Sequence, residues 1–235
     1  MPKMMSTEKR NTFHILFNRR FLFTCLLAII LLGGTKPFAQ RDATPTAVWI
    51  LPGVIYQAPK QLKFSCQYGI NSNQSINAIY VQAFINTGKH VTLNPAYLYL
   101  RSSPLGSRHL HEHGFMSAVI LSLPLKHVLI DDRNLIWSRF RRGTASYHFY
   151  RNRLRIIKPF TWKSRECKVY AYDEGWFFIN KGQWTRNRLA AGFSCDVVSW
   201  FIVDVSFVRQ HDKTSRIMNL FFIMGTIQLM HKRNQ

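Results

Sequence analysis

The sequence predicts an all-β fold: an antiparallel transmembrane β-barrel of about twelve strands, with ten the fallback, preceded by a signal peptide. Three observations carry this expectation. Across 130–160, Arg139 and Arg141, then Arg151, Arg153 and Arg155, recur at every second residue. That period puts the guanidinium groups on one face of a strand and Ile136, Phe140, Leu154 and Ile156 on the other. Further segments of the same kind follow one another to the end of the chain, separated by turn signals and with gaps too short for crossover helices. After the N-terminal region no stretch reaches the roughly eighteen apolar residues of a membrane-spanning helix.

The chain opens with Arg19 and Arg20 ahead of an uninterrupted apolar run over 21–32, which Gly33, Gly34, Lys36 and Pro37 break. The run is short for a bilayer span but fits the apolar centre of a secretory signal. Cleavage is expected after Ala39. The expected organisation is a signal peptide over 1–39, a lead-in over 40–48 with room for a short strand, a barrel over 49–229 and a basic C-terminal tail over 230–235. Export by a cleaved signal and a barrel together point to the outer membrane of a Gram-negative bacterium.

Lysine and arginine number 32 against 11 acids, a net charge of +21, of which +16 remains once residues 1–39 are removed. Such an excess suits phospholipid headgroups or lipopolysaccharide. Nucleic acid is disfavoured, because the basic residues are spread at strand period behind an export signal. Membrane lipid, lipopolysaccharide and the barrel-assembly machinery are the expected partners, and the oligomeric state stays open. Of the four cysteines, Cys25 lies in the signal, leaving Cys66, Cys167 and Cys195, so at least one is unpaired. Cys195 falls on an apolar strand face and reads as a small hydrophobe.

The strand segments read 49–56, 62–70, 78–86, 91–101, 115–123, 128–141, 146–158, 167–180, 186–197, 200–210 and 217–229. Their connections alternate between short turns and longer or more polar loops, with 102–113 taken as an outer loop. Those at 160–165 and 180–183 fit the alternation less clearly. Eleven strands would bring the first and last together in parallel, whereas bacterial barrels have even counts. A further short strand before Trp49 is therefore expected.

Strand faces follow from parity. Arg186 and Arg188 share a face with Ala190, Gly192 and Ser194, opposite Leu189, Ala191, Phe193 and Cys195. Lysine should accordingly be costly at the lipid-facing Leu189, Ala191 or Phe193 and milder at Ala190. Phe201, Val203, Val205 and Phe207 lie opposite Asp204 and Ser206, while Lys168, Tyr170, Tyr172 and Glu174 line up together. The acids available to inward arginines are Glu174, Asp204, Glu112 and Asp131, too few for all of them. The tryptophans other than Trp137 are expected at the membrane interfaces.

The segments DRNLIWSRF (132–140), YRNRLRI (150–156), AYDEGWFF (171–178) and RNRLAAGF (186–193) resemble a family of small outer-membrane β-barrel proteins of Gram-negative bacteria, catalogued as a domain of unknown function. The resemblance covers the chain from about Trp49 and is most specific from Asp131 to Phe193. It implies a barrel with lumen arginines and glutamates, at positions matching Arg133, Arg139, Arg153, Arg155, Glu174 and Arg188. Where that family carries a glutamate two residues before the position of Arg139, this chain has Trp137, so a charge partner is missing. The resemblance implies no established activity.

His109, Glu112 and His113 match the HxxEH zinc-protease pattern, but that chemistry needs both histidines on one face of a helix, and this stretch is loop and strand. No nucleotide-binding or GxSxG motif occurs, and no serine is singled out as the nucleophile of a membrane-edge dyad. No catalytic residue, metal site or cofactor is expected. The functional reading is a barrel of unestablished role: a narrow anion-favouring pore or a structural membrane component. A membrane-embedded enzyme modifying lipid or lipopolysaccharide is the alternative. A soluble periplasmic β-sandwich ranks behind both, because one whole set of faces is apolar.

Overall fold

The computed structural model describes residues 44–230 except 60, 72–74, 104–108 and 215–216. The expected signal peptide lies outside the described residues, as do 40–43 of the lead-in and 231–235 of the tail. Eleven strands form one closed barrel: β1 (Thr46–Gln57), β2 (Leu62–Asn71), β3 (Ile76–Asn86), β4 (Val91–Ser102), β5 (Leu110–Pro124), β6 (Leu129–Arg141), β7 (Tyr147–Trp162), β8 (Arg165–Phe178), β9 (Gln183–Val198), β10 (Phe201–Asp212) and β11 (Met218–Met230). Sequential strands pair antiparallel around the sheet. The barrel closes by a parallel pairing of β1 with β11, from Thr46 opposite Asn219 to Gln57 opposite Met230.

Each segment read from the sequence is one of these strands, and two expectations are corrected. There is no extra strand before Trp49 among the described residues, because Thr46–Val48 is the beginning of β1 itself. The barrel is thus odd-numbered, and its first and last strands run in the same direction. Parallel pairing still saturates both edges with evenly spaced hydrogen bonds, so closure loses no ladder. The stretch before Phe115 is also not loop: β5 begins at Leu110.

The connections sort onto two rims. Links of two to four residues join β1–β2, β3–β4, β5–β6, β7–β8 and β9–β10, and links of four to seven residues join the others. The 160–165 connection resolves into a two-residue turn at Lys163 and Ser164, both at positive φ (48° and 63°), as the tight hairpin turns require. In β4, Pro95 cannot donate to the ladder, and the pairing with β3 skips there. Asn94 repairs the gap by donating its side-chain amide to the Ala83 carbonyl at 2.8 Å.

Alternation sorts the side chains inside-out relative to a soluble protein. Ile50, Ile79, Phe115, Leu121, Leu154, Ile156, Leu189 and Phe207 are exposed on the outer wall. That much contiguous apolar surface exceeds what water-soluble monomers expose and has the pattern of the outer band of a membrane barrel. The closed sheet and its apolar exterior exclude the β-sandwich. Inward positions form two apolar clusters, one of Met116, Ala118, Leu135, Trp137 and Trp176, the other of Ala47, Ala190, Val208 and Leu220. Charged rows lie between them. Ala190 is therefore a packed position, buried against Val208 and Leu220, and lysine there would displace that packing.

Two further corrections concern aromatic and sulfur side chains. Trp162, Trp184 and Trp200 are exposed at strand ends or turns, as interface anchors would be. Trp176 is buried on the inside instead, and Trp49 points inward to stack on Phe222. Cys195 is not a lone hydrophobe: it is disulfide-bonded to Cys167, its direct cross-strand partner, and Cys66 is the free cysteine of the described residues.

Replacing Ala191 by lysine on the outer wall is expected to cost about 2–4 kcal/mol of stability. Replacing Cys167 by serine is expected to cost about 2–4 kcal/mol, through a larger unfolded ensemble. Equilibrium denaturation of the refolded barrel in detergent checks both.

Candidate functional site in the lumen

Eight arginines occupy inward positions on three strands: Arg133, Arg139 and Arg141 on β6, Arg151, Arg153 and Arg155 on β7, Arg186 and Arg188 on β9. Register then fixes their heights. One row of cross-strand partners runs Arg133, Arg153, Glu174, Arg188, Gln210 from β6 to β10. The next row runs Leu135, Arg151, Trp176, Arg186, Asp212.

Glu174 is the hub. It is only 2 % exposed, and such a carboxylate persists only with partners. Arg133 donates to it at 2.9 Å, Arg151 donates to both its oxygens at 2.9 Å, and Arg188 lies at 3.8 Å. The Trp176 indole N–H adds a fourth contact at 2.9 Å. The ring of Trp176 in turn carries the guanidinium groups of Arg151, Arg186 and Arg188 at 4.1, 4.6 and 4.8 Å from its centre. Cation–π contact is thus how the site holds more arginines than carboxylates.

Three smaller clusters flank the hub. Towards the long-loop rim, Arg139 grips Glu112 in a two-pronged pair at 2.7 and 2.8 Å, and Arg141 adds a contact at 2.9 Å. Arg139 also lies over Trp137, 4.6 Å from the ring centre. The indole of Trp137 occupies the space that Gly114 leaves, where a Cβ would collide with it. Towards the short-turn rim, Arg155 pairs with Asp131 at 2.6 Å, and Ser122 donates to the same carboxylate. At the side, Arg186 pairs with Asp212, while Arg188 donates to Gln210.

All six residues singled out from the sequence are on inward positions, but they do not form one cluster. Arg133 and Arg188 meet Glu174. Arg139 goes to Glu112 and Arg155 to Asp131. Arg153 makes no ion pair among the described residues and faces Tyr172 at 5.3 Å. The charge partner of Arg139, expected to be missing because Trp137 stands at its place, is supplied by Glu112 of β5. Sequence reasoning missed Trp176 and Arg151 as members of the hub. Their parity with Glu174 and Arg153 was a usable signal, but their shared height was not visible without register.

The HxxEH stretch is dispersed by its strand. His109, His111 and His113 lie on the outer side and take Ser103, Tyr99 and Tyr97 as hydrogen-bond partners, while Glu112 points inward. Among the described residues no group of His, Cys, Asp and Glu is placed to hold a metal. On the outer wall Ser138 Oγ lies 2.9 Å from His148 Nδ1.

No protein-family model and no curated protein matches the chain. Among solved structures it is similar to the anion-selective porin from Comamonas acidovorans, with 9 % sequence identity and a TM-score of 0.36. The match covers 73 % of this chain and 53 % of that one, so the chain spans about half the porin's length.

Replacing Glu174 by glutamine leaves three inward arginines short of their counter-charge and is expected to cost about 3–5 kcal/mol. Replacing Arg153 by glutamine removes a cation without an ion pair and should leave stability unchanged or raised. Denaturant midpoints of the two variants against the parent provide the comparison.

Proposed function

We propose that the protein is a small outer-membrane barrel whose lumen favours anions. The observation that carries this reading is the mismatch of charge inside: among the described residues seven of the eight inward arginines share four carboxylates, Glu112, Asp131, Glu174 and Asp212, the inward Asp204 accepts from Tyr170, and Arg153 has no ion pair. A narrow path with low-dielectric walls focuses that positive potential and raises the local concentration of anions. The side chains packed across the interior keep any path narrow, as expected between eight-stranded barrels, which are filled, and sixteen-stranded ones, which hold a channel.

Three supports bear on location. The outer wall is apolar, the rims alternate between short turns and longer loops, and the Cys167–Cys195 bond belongs to an oxidising compartment such as the periplasm. Contact with lipopolysaccharide, handling by the barrel-assembly machinery, and membership of the outer-membrane family that the Asp131–Phe193 motifs resemble are parts of the same proposal. A second reading, a structural component that conducts nothing, draws on the tight packing of Glu174 and Val208, 2 % and 0 % exposed.

Reversal potentials of the refolded barrel in planar bilayers under a salt gradient decide between these. Anions should permeate more readily than cations, and replacing Arg153 and Arg155 by glutamine should reduce that preference. Cation preference, or a double variant like the parent, would remove the arginines as its cause. Absence of conductance would leave the structural reading. Cell fractionation should find the protein in the outer membrane, and recovery in the soluble periplasm would overturn the location.

A further inference from the structure

Between the histidines of β5 near one rim and the short turns at the other, the outward carboxylates lie on β6 and β8. Leu121, Asp132, Leu154, Asp173 and Leu189 are successive cross-strand partners on the outside of β5 to β9. The three leucines are 47 %, 49 % and 60 % exposed, so the two carboxylates stand within the apolar band and not at its rim. In the adjacent row, Asn134 and Asn152 are direct partners, with Gly175 and Asn187 beyond them. Asp132 accepts from Asn134 at 3.0 Å and from Asn152 at 2.7 Å, and Tyr150 donates to Asn134 at 2.5 Å. Asn187 donates to Asp173 at 2.6 Å. Acyl chains offer no hydrogen bonds, so carboxylates and amides facing them are costly. A wall built this way is suited to face protein.

We infer that the β6–β7 wall is a contact between two copies of the barrel in the membrane. The hydrogen-bond inventory identifies the partner as a second copy. Asn134 spends one amide hydrogen on Asp132 and keeps one, while the side-chain oxygen of Asn152 is unused among the described residues. Two copies in the same membrane orientation are related by a two-fold axis along the membrane normal. With that axis between β6 and β7, Asn134 of each copy faces Asn152 of the other, and the spare donor meets the spare acceptor twice. The wall also permits close approach. A groove of about 470 Å³ lies beside the cluster, bordered by Leu93, Pro95, Ser117, Val119, Asn134 and Tyr150, where the side chains at Pro95 and Ser117 are small. Apolar side chains on both sides, Ile136 and Phe140 above and Leu154 and Ile156 below, complete a surface of apolar packing around a polar centre.

The inference rests on the wall facing lipid, which fractionation tests separately. The test uses full-length protein in its own membrane with Cys66→Ser, so that the Cys167–Cys195 pair holds the remaining described cysteines. In that background, co-expressed Asn134→Cys and Asn152→Cys chains should form a disulfide-linked dimer on mild oxidation, and Ile50→Cys on β1, across the barrel from β6 and β7, should not. The variant Asp132→Leu/Asn134→Leu/Asn152→Leu should keep the heat-modifiable mobility of a folded barrel and lose the dimer measured by light scattering in detergent. The co-expressed Asn134→Cys and Asn152→Cys chains remaining monomeric, or linking no more than Ile50→Cys, overturns the contact. A triple variant that is as dimeric as the parent also overturns it.

Discussion

The interior depends on one desolvated carboxylate. Glu174 on β8 binds arginines from β6, β7 and β9, so a single side chain ties four consecutive strands together from within. Without it, Arg133, Arg151 and Arg188 would be like charges crowded in a low-dielectric space, and the sheet would have to open to hydrate them. With it, their aliphatic stems and the faces of Trp176 and Trp137 fill the volume that an apolar core fills elsewhere. Positive charge is here a packing material as well as an electrostatic one.

The fold was legible because alternation is a local property. Parity alone assigned Leu154 and Arg155 to opposite faces, and eleven alternating segments became eleven strands. What parity does not carry is height. Whether Arg139 meets Glu174 or Glu112 depends on how far each strand slides along its neighbour, and that is set by turns several residues away. Lys163 and Ser164 form the β7–β8 turn at positive φ without the glycine or asparagine that would announce it, so the register of β8 was hidden. The Cys167–Cys195 pair was invisible for the same reason. The even-strand expectation failed from the opposite cause, because a general rule outweighed the count that the residues themselves supported.

Motif reading met the same limit at 109–113. The HxxEH pattern implies chemistry only where the backbone turns every 3.6 residues. On a strand the period of two sends Glu112 inwards and its neighbouring histidines out, and the elements of a metal site become an interior ion pair and an outer hydrogen-bond ladder. Trp137 shows the converse. Read as the loss of a glutamate, it is instead the stacking surface that lets Arg139 keep its charge beside a carboxylate borrowed from β5.

The parallel seam between β1 and β11 has a consequence for how the chain reaches its final state. Every other pairing joins neighbours in sequence and can zip from a local turn. The seam joins Thr46 to Asn219, across almost the whole barrel, and no hairpin can nucleate it. The ten antiparallel pairings can accumulate as an open, curling sheet, but its two free edges stay adhesive until β11 arrives. Closure is therefore the slow, long-range event, and whatever shields those edges beforehand sets the yield of finished barrels.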